Sequence, residues 1–167
     1  MAEIHSGGKI IAVSNGAERE TYLLKKILRN SGRGDVFAVV PAVEAMERGM
    51  KTLVLLAAEP LGFQDPSLFS VCVTRFQPEW RKPEGFRNVV TYSTEWNGAD
   101  FTARNIRTLP DGVTAFEIVG VGIIGRVRLA PDCSGDVEAA IAAAAAATAA
   151  GIPFAEILSA LNGSEKA

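Results

Sequence analysis

The residues best placed to bind a phosphate lie in the turn "SNGAERET", Ser14 to Thr21. An apolar run, Ile10 to Val13, precedes this turn and a helix-like pattern follows it, which is the order of strand, turn and helix found in phosphate-binding loops. The turn has one glycine and no Gly-Lys-Thr/Ser triplet, and it contains Glu18 and Glu20. The sequence therefore has the frame of a nucleotide site without the side chains that hold phosphate.

Several residues of this turn could still contact a phosphate through the N-terminus of the following helix. They are Ser14, Asn15, Gly16, Arg19 and Thr21. Against this, Glu18 and Glu20 add negative charge, and at ~4 Å and an effective dielectric of about 20 each like-charge contact is unfavourable by about 4 kcal/mol. Arg19 offsets one of these charges. The same residues are typical of an ordinary solvated helix start, where the helix dipole favours glutamate, so both interpretations stay open at this point.

The composition is that of a folded globular protein with room for one domain. Of the 167 residues, 48% are hydrophobic and 22% are charged. The net charge is -2 and no run of five or six like charges occurs, so a nucleic-acid surface or an anionic-membrane surface is not supported. No apolar run reaches the length that crosses a bilayer. We expect neither nucleic acid nor membrane as a partner.

Cysteine and histidine are scarce. Cys72 and Cys133 form no CxxC motif, and with no signal sequence they indicate two reduced thiols in a cytoplasmic protein. The single histidine, His5, lies in the polar N-terminal segment. A metal cluster of His and Cys ligands and a catalytic triad are both disfavoured. We predict no metal site and no catalytic residue.

Hydrophobic periodicity divides the chain into strands and helices. We predict strands at 9–14, 36–40, 51–58, 68–74 and 89–93, with helices at 18–31 and 41–49, the second opening at Pro41. Because these strands are uniformly apolar, they are typical of a parallel α/β sheet covered on both faces. Alternating segments at 101–109, 113–119 and 126–129 predict an antiparallel meander. Helices at 136–150 and from Pro153 to Asn162 complete the domain.

The predicted helix at 136–150 consists almost entirely of alanine and other small residues. Small side chains let a helix lie close against a sheet or another helix, and we adopt this packing explanation. The domain as a whole spans 9–163, with a flexible leader at 1–8 and a tail at 164–167.

The order of these segments resembles the central domain of the Mur ligases, ATP-dependent amide-forming enzymes of peptidoglycan synthesis to which folylpolyglutamate synthetase is related. "AVSNGAERETYLLKKILRNSG" resembles the family's "TGTNGKTTT" loop and helix in position and flanks. "TLVLLAAEPLGF" and "SVCVTRFQPEW" resemble the two following strands, and the C-terminal third follows the family pattern through "ARNI", "PDG" and "AAGIPFAEIL". The likeness covers Lys9 to Gly163 and implies a P-loop NTPase-like fold.

The sequence departs from the family at the phosphate loop. On an ungapped match, Arg19 stands at the lysine that binds ATP phosphates, Glu18 at the glycine before it and Glu20 at the Thr/Ser that holds magnesium. The helix is about two residues shorter than in relatives, which leaves this register open. In either register the Gly-Lys pair is missing.

Three further segments also differ from the family pattern. The magnesium-binding glutamate falls near Leu55 or Leu56, while Glu59 comes after the strand. Where the family has "TN" and "DH", this chain has Arg75 and Trp80. Where it has "HN-x-x-N" near the adenine, this chain reads 135–139, "GDVEA". The long family insert with a metal-binding lysine is reduced to 81–88, and we carry no role onto Lys82. Four altered sites indicate that the ATP chemistry is lost.

We therefore expect a stand-alone, degenerate Mur-ligase-like central domain without ATPase or ligase activity and without a cofactor. The substrate and amino-acid domains of the full enzymes have no counterpart here, so it would act as a binding or partner module. Its partner would be another protein or a second copy in a homo-oligomer. The aromatic residues near the altered site are candidates for such a surface or for filling space. They are Phe63, Phe76, Trp80 and Trp96.

Two alternatives remain open. In the first, the chain is a residual ATP- or anion-binding subunit of an amide ligase that another chain completes, and Mg-ATP is its cofactor. In the second, it is an unrelated small α/β enzyme that uses Glu59, Asp65 and Glu79, although their spacing fits no carboxylate mechanism.

Overall fold

The computed structural model describes residues 8–59, 65–79, 81–131 and 136–163. The predicted leader (apart from Gly8) and the predicted tail lie outside the described residues. The same holds for His5, Phe63, Trp80, Cys133 and Gly135.

The described residues form one sheet of eight strands. The strands are β1 (Lys9–Val13), β2 (Phe37–Pro41), β3 (Thr52–Leu56), β4 (Phe69–Arg75), β5 (Val89–Ser93), β6 (Phe101–Thr108), β7 (Thr114–Gly120) and β8 (Ile123–Leu129). Their order across the sheet is β2-β1-β3-β4-β5-β6-β7-β8. Pairings from β2 through β6 are parallel, and β6-β7 and β7-β8 are antiparallel. The predicted fold class, a mostly parallel α/β sheet with an antiparallel meander, is confirmed.

The meander is continuous with the parallel sheet through a short contact. Tyr92 pairs with Phe101 and Ser93 with Thr102, so β6 begins beside the end of β5 and runs past it. Thr91 secures this junction, because its N–H donates to Asp100 Oδ2 at 2.9 Å and its hydroxyl accepts from Asp100 N–H at 3.0 Å. The antiparallel strands thus extend the sheet instead of forming a separate layer.

Four α-helices are described, and they cover the two faces of the sheet unequally. They are α1 (Glu18–Asn30), α2 (Ala42–Glu47), α3 (Val137–Ala149) and α4 (Phe154–Asn162), and a 3-10 turn spans Pro66–Leu68. Successive residues of a strand point to opposite faces. Ile11 belongs to the large core under α1, α3 and α4, whereas Ala12 belongs to a smaller core that contains α2 and Phe86. Burial on both faces explains why the parallel strands are uniformly apolar.

The alanine-rich helix α3 lies at the centre of the large core. Residues 139–147 are all buried, and α3 contacts α1, α4 and strands β3 to β7. Asp136 caps its N-terminus, since Oδ1 accepts from Ala139 N–H at 3.2 Å. An all-round buried helix between two helices and a sheet needs small side chains, in agreement with the packing explanation.

Several element boundaries differ from the sequence-based expectation by one to three residues, and two of them have a clear physical cause. Pro41 has an extended backbone (φ -61°, ψ 140°) and ends β2, and α2 begins one residue later. Proline is tolerated there because β2 is an edge strand. β8 begins at Ile123, three residues before the predicted start, because Gly122 with φ 71° turns the chain directly from β7 into β8. None of the described helices has the length and apolar character needed to span a bilayer.

Candidate functional site

The loop between β1 and α1 is held mainly by backbone contacts. Ser14 N–H donates to the carbonyl of Leu56 on β3 at 3.0 Å, and Ala17 N–H donates to the Ser14 carbonyl at 3.3 Å. Gly16 has φ 85°, a conformation that glycine adopts without strain, and no heavy atom lies within 4 Å of the position a Cβ would take. The glycine is therefore required by the turn itself, and the space above it is open.

This loop borders a cleft of about 360 Å³ between the start of α1 and the end of β2. The lining residues are Val13, Ser14, Asn15, Gly16, Ala17, Glu18, Thr21, Lys25, Val39, Val40 and Pro41. Four of the five candidate phosphate contacts, Ser14, Asn15, Gly16 and Thr21, thus lie together. The hydroxyl of Thr21 is engaged, because it donates to the Ala17 carbonyl at 2.7 Å.

Arg19 is not part of this cleft. Its guanidinium donates to Asp136 Oδ2 at 2.9 Å, at the N-terminus of α3. The Arg19 side chain is 77% exposed and that of Asp136 is 18% exposed. The residue that the family resemblance aligns with the phosphate-binding lysine is thus engaged with a carboxylate of this chain.

A second ion pair joins the end of β4 to α3. Arg75, the last residue of β4, donates through Nε to Glu138 Oε1 at 2.5 Å. Tyr92 lies nearby in the core, where burial raises its pKa and the charge of Arg75 partly opposes that rise. Both arginines that the family resemblance aligns with nucleotide-site residues are therefore paired with acidic residues at the start of α3.

Lys25 is a lining residue that the sequence motifs did not single out. It lies four residues after Thr21 on α1, and residues at this spacing share one face of a helix. That spacing was the available signal, but the family resemblance pointed to the aligned position, Arg19, instead. Lys25 and Glu18 bring one charge of each sign to the cleft.

The residues present do not fit Mg-ATP as the family binds it. Leu55 and Leu56, which stand near the metal-binding glutamate position, are both buried in the cores. In the described part of the chain, no group of three or more His, Cys, Asp or Glu residues could hold a metal ion. Glu18, whose carboxylate would repel a phosphate, lines the cleft at the helix start. The side chains around the loop therefore support no reaction step through a nucleotide.

The remaining candidate residues are not gathered into a site. Glu59 and Glu79 are exposed, and Asp65 accepts a hydrogen bond from Ser67 at the 3-10 turn. Trp96 is 43% exposed, whereas Phe76 is half-buried with its ring against Gly98. Within the described residues, Glu59, Asp65 and Glu79 form no three-carboxylate group that could hold a metal ion.

Mur ligases are among the solved structures with the same architecture. A MurF structure from Acinetobacter baumannii superposes with a TM-score of 0.66 at 17% identity, over 97% of this chain and 47% of that one. MurF ligase from Thermotoga maritima in complex with ADP gives 0.62 at 14% identity, over 92% and 48%. The MPL ligase from Neisseria meningitides gives 0.60 at 16% identity, over 98% and 67%. The fold is that of the Mur ligases.

The Mur ligase likeness is one of structure. No family model matches the sequence, and no curated protein matches it either. The chain spans about half the length of the MurF structures that it matches. At these identities the fold is shared, and the activity of this chain has to be argued from its own residues.

Proposed function

We propose that this protein is a non-catalytic binding module built on a degenerate Mur ligase central domain, without ATPase or ligase activity. The observation that carries the proposal is the pair of internal salt bridges, Arg19–Asp136 and Arg75–Glu138. They join positions where the family resemblance places nucleotide contacts. In each pair, a guanidinium group that could contact a ligand contacts a carboxylate of this chain instead.

The energetics support this assignment. A nucleotide phosphate at the loop would have to compete with Asp136 for Arg19, and it would approach Glu18 and Glu20 as like charges. A phosphate cradle also needs converging backbone N–H groups, which glycine-rich loops provide. This loop has one glycine, and the backbone of the turn accounts for it. Each of these effects lowers the affinity for triphosphate.

The proposed work of the module is association with a protein or with a second copy of itself in the cytoplasm. Trp96 supplies an exposed aromatic side chain of the kind that is enriched in protein interfaces. The link to peptidoglycan synthesis is part of the proposal and follows from the names of the structural neighbours.

Titration with Mg-ATP tests the proposal directly. Binding to the folded state raises stability by an amount set by ligand concentration over Kd, about 2.7 kcal/mol at one hundred times Kd. At about 5 millimolar Mg-ATP, a level that a working nucleotide site would saturate, we expect no change in Tm that arises from binding at the β1–α1 loop. The Thermotoga maritima MurF ligase, solved with ADP, is the positive control. A saturable shift localised to the β1–α1 loop by NMR would contradict the proposal.

The cleft beside the loop supports one second candidate, a residual anion-binding subunit completed by another chain. It rests on the presence of Ser14, Asn15, Thr21 and Lys25 around one open space. If this candidate holds, Lys25→Gln abolishes a nucleotide-induced shift in Tm. Arg29→Gln, on α1 but outside the cleft, leaves that shift unchanged. Loss in both variants, or in neither, rejects the cleft as the binding site.

A further inference from the structure

Four arginines lie on one face of the meander, in two rows that cross its strands. Side chains directly opposite each other in paired strands share a face. Arg104 on β6 pairs with Glu117 on β7, which pairs with Arg126 on β8. In the next row, Arg107 pairs with Ala115, which pairs with Arg128. All four arginines are exposed.

A β-bulge places the two arginines of β6 on the same face. Residues three apart in a regular strand point to opposite faces. Between Arg104 and Arg107 the register shifts by one residue, because three steps along β6 match two steps along β7. Asn105 in this bulge has φ 54°, and it is the one non-glycine residue with positive φ in the described chain. Bulges of this kind redirect side chains and are frequent next to binding sites.

The arginines are not neutralised by the carboxylate between them. Glu117 accepts a hydrogen bond from the side-chain amide of Asn105, which holds the carboxylate at the bulge. Within the described residues, none of the four arginines is within ion-pair distance of an acidic group. By contrast, Arg33 and Arg75 form ion pairs with Glu156 and Glu138.

Residues of both rows line a pocket of about 240 Å³. Its lining residues are Asn105, Arg107, Ala115, Phe116, Glu117, Arg126, Val127 and Arg128. Neighbouring strands lie about 4.8 Å apart, so Arg107 and Arg128 begin about 10 Å apart on either side of the small Ala115. Two long side chains at that separation can converge on one ligand above the alanine.

The outer edge of β8 is fixed at this pocket. Asn162, at the end of α4, accepts from Arg128 N–H at 2.8 Å and donates to the Arg126 carbonyl at 2.9 Å. This side-chain clamp occupies backbone groups that an edge strand leaves unpaired. It holds Arg126 and Arg128 in one register and prevents another strand from adding at this point.

We propose that this pocket binds a doubly charged oxyanion, a phosphate monoester or diphosphate group of a small molecule. Three guanidinium groups and one carboxylate line it, so the positive excess matches about two negative charges, as a phosphate monoester carries near neutral pH. A ligand that carries a single carboxylate would leave one of the two excess positive charges unmatched. The planar fork of arginine binds such oxyanions through two parallel hydrogen bonds. The site is separate from the β1–α1 cleft and does not depend on the function proposed above.

Calorimetric titration with inorganic pyrophosphate, followed by NMR of the arginine Nε–H groups, tests this site. We expect saturable one-to-one binding that weakens at least about tenfold in Arg107→Gln/Arg128→Gln, since each charge-assisted hydrogen bond is worth at least that factor. Arg29→Gln/Arg48→Gln removes the same charge elsewhere and should change the affinity less than about twofold, as expected of a distant surface substitution. Absent binding, or equal weakening in both double variants, overturns the proposal.

Two further arms separate a pocket from general electrostatic attraction. Ala115→Val keeps all four arginines but fills the floor of the pocket, so it should also weaken pyrophosphate binding, whereas unchanged affinity overturns the proposal. Single-stranded RNA of about 20 nucleotides is the second arm. Tighter binding to RNA that pyrophosphate does not displace would assign the face to nucleic acid and reject the small-molecule site. The Arg107→Gln/Arg128→Gln variant also shows whether a Tm shift with Mg-ATP arises in this pocket or in the β1–α1 cleft.

Discussion

The interface around α3 and the loop between β1 and α1 lie at neighbouring points of the fold but are constrained differently. In α3, residues 139–147 are all buried, so side-chain volume is fixed by contact with α1 and the sheet. In the loop, Asn15 and Gly16 are exposed, and backbone hydrogen bonds to β3 maintain its path. The side chains of the loop can therefore differ while the fold persists. For this reason, similar packing of the core carries no information about nucleotide binding at the loop.

The largest effect is expected at the α3 interface. Ala143→Leu should lower the free energy of unfolding by about 1–3 kcal/mol, because the added atoms have no space between the helices and the sheet. Ala155→Leu, at an exposed position of α4, is the matched control and should change stability by less than about 0.5 kcal/mol. Urea unfolding measures both. Equal effects would show that α3 is packed more loosely than its burial indicates.

The buried sheet should also make stability depend on alkaline pH. Burial raises the pKa of Cys72 to about 12 and raises that of Tyr92. The unfolded chain releases the Cys72 proton above pH ~9 and the Tyr92 proton above pH ~10, while the folded chain retains both. The free energy of unfolding therefore falls as pH rises, by about 1.4 kcal/mol per pH unit for each group within its range. Below pH ~8 neither group contributes a slope.

Urea midpoints between pH 8 and pH 11 measure this dependence. Cys72→Ala and Tyr92→Phe should each flatten the alkaline slope relative to the unchanged chain. Lysines also titrate in this range, and the difference between variants removes their contribution. A slope that is identical in all three proteins would mean that neither buried group is protonated differently in the folded and unfolded states.

The elements of the fold could be predicted because their signals are local. Runs such as Lys9–Val13 and Thr52–Leu56 are apolar throughout, and a strand covered on both faces requires this. The junction of β5 with β6 depends on the hydrogen bond between Thr91 and Asp100, and hydrophobic periodicity does not predict such a bond. The candidate site was predictable where it follows the loop itself, as at Ser14 and Gly16.

The partners of the site residues could not be predicted, because they are distant in the chain. Arg19 pairs with Asp136 across 117 positions, so no local pattern removes Arg19 from the cleft. The bulge at Asn105 is equally hidden, since the segment from Phe101 reads as regular alternation. Which charged residues meet at a site is decided by the topology, because it brings distant strands and helices together.

Asp136 connects the two compared regions, and its substitution should have an intermediate effect. Asp136→Ala removes the cap of α3 and the partner of Arg19, so we expect a loss of about 1 kcal/mol. Asp136→Asn keeps a capping oxygen and should lose less than half of that amount, since the exposed ion pair alone contributes little. Thermal unfolding of both variants measures the difference. Equal losses would assign the contribution to the ion pair instead of the cap.

The smallest effect is expected in the loop itself. Glu18→Gln should lower stability by about 0.3 kcal/mol, because an exposed carboxylate in the first turn interacts weakly with the helix dipole. Combining it with Glu20→Gln removes both repulsive charges, yet Mg-ATP should still produce no Tm shift that arises at this loop, since Arg19 remains paired with Asp136 and the loop has no Gly-Lys pair. If neutralising the two acids alone created nucleotide binding at this loop, charge and not the absence of a Gly-Lys pair would explain why the unchanged loop does not bind ATP.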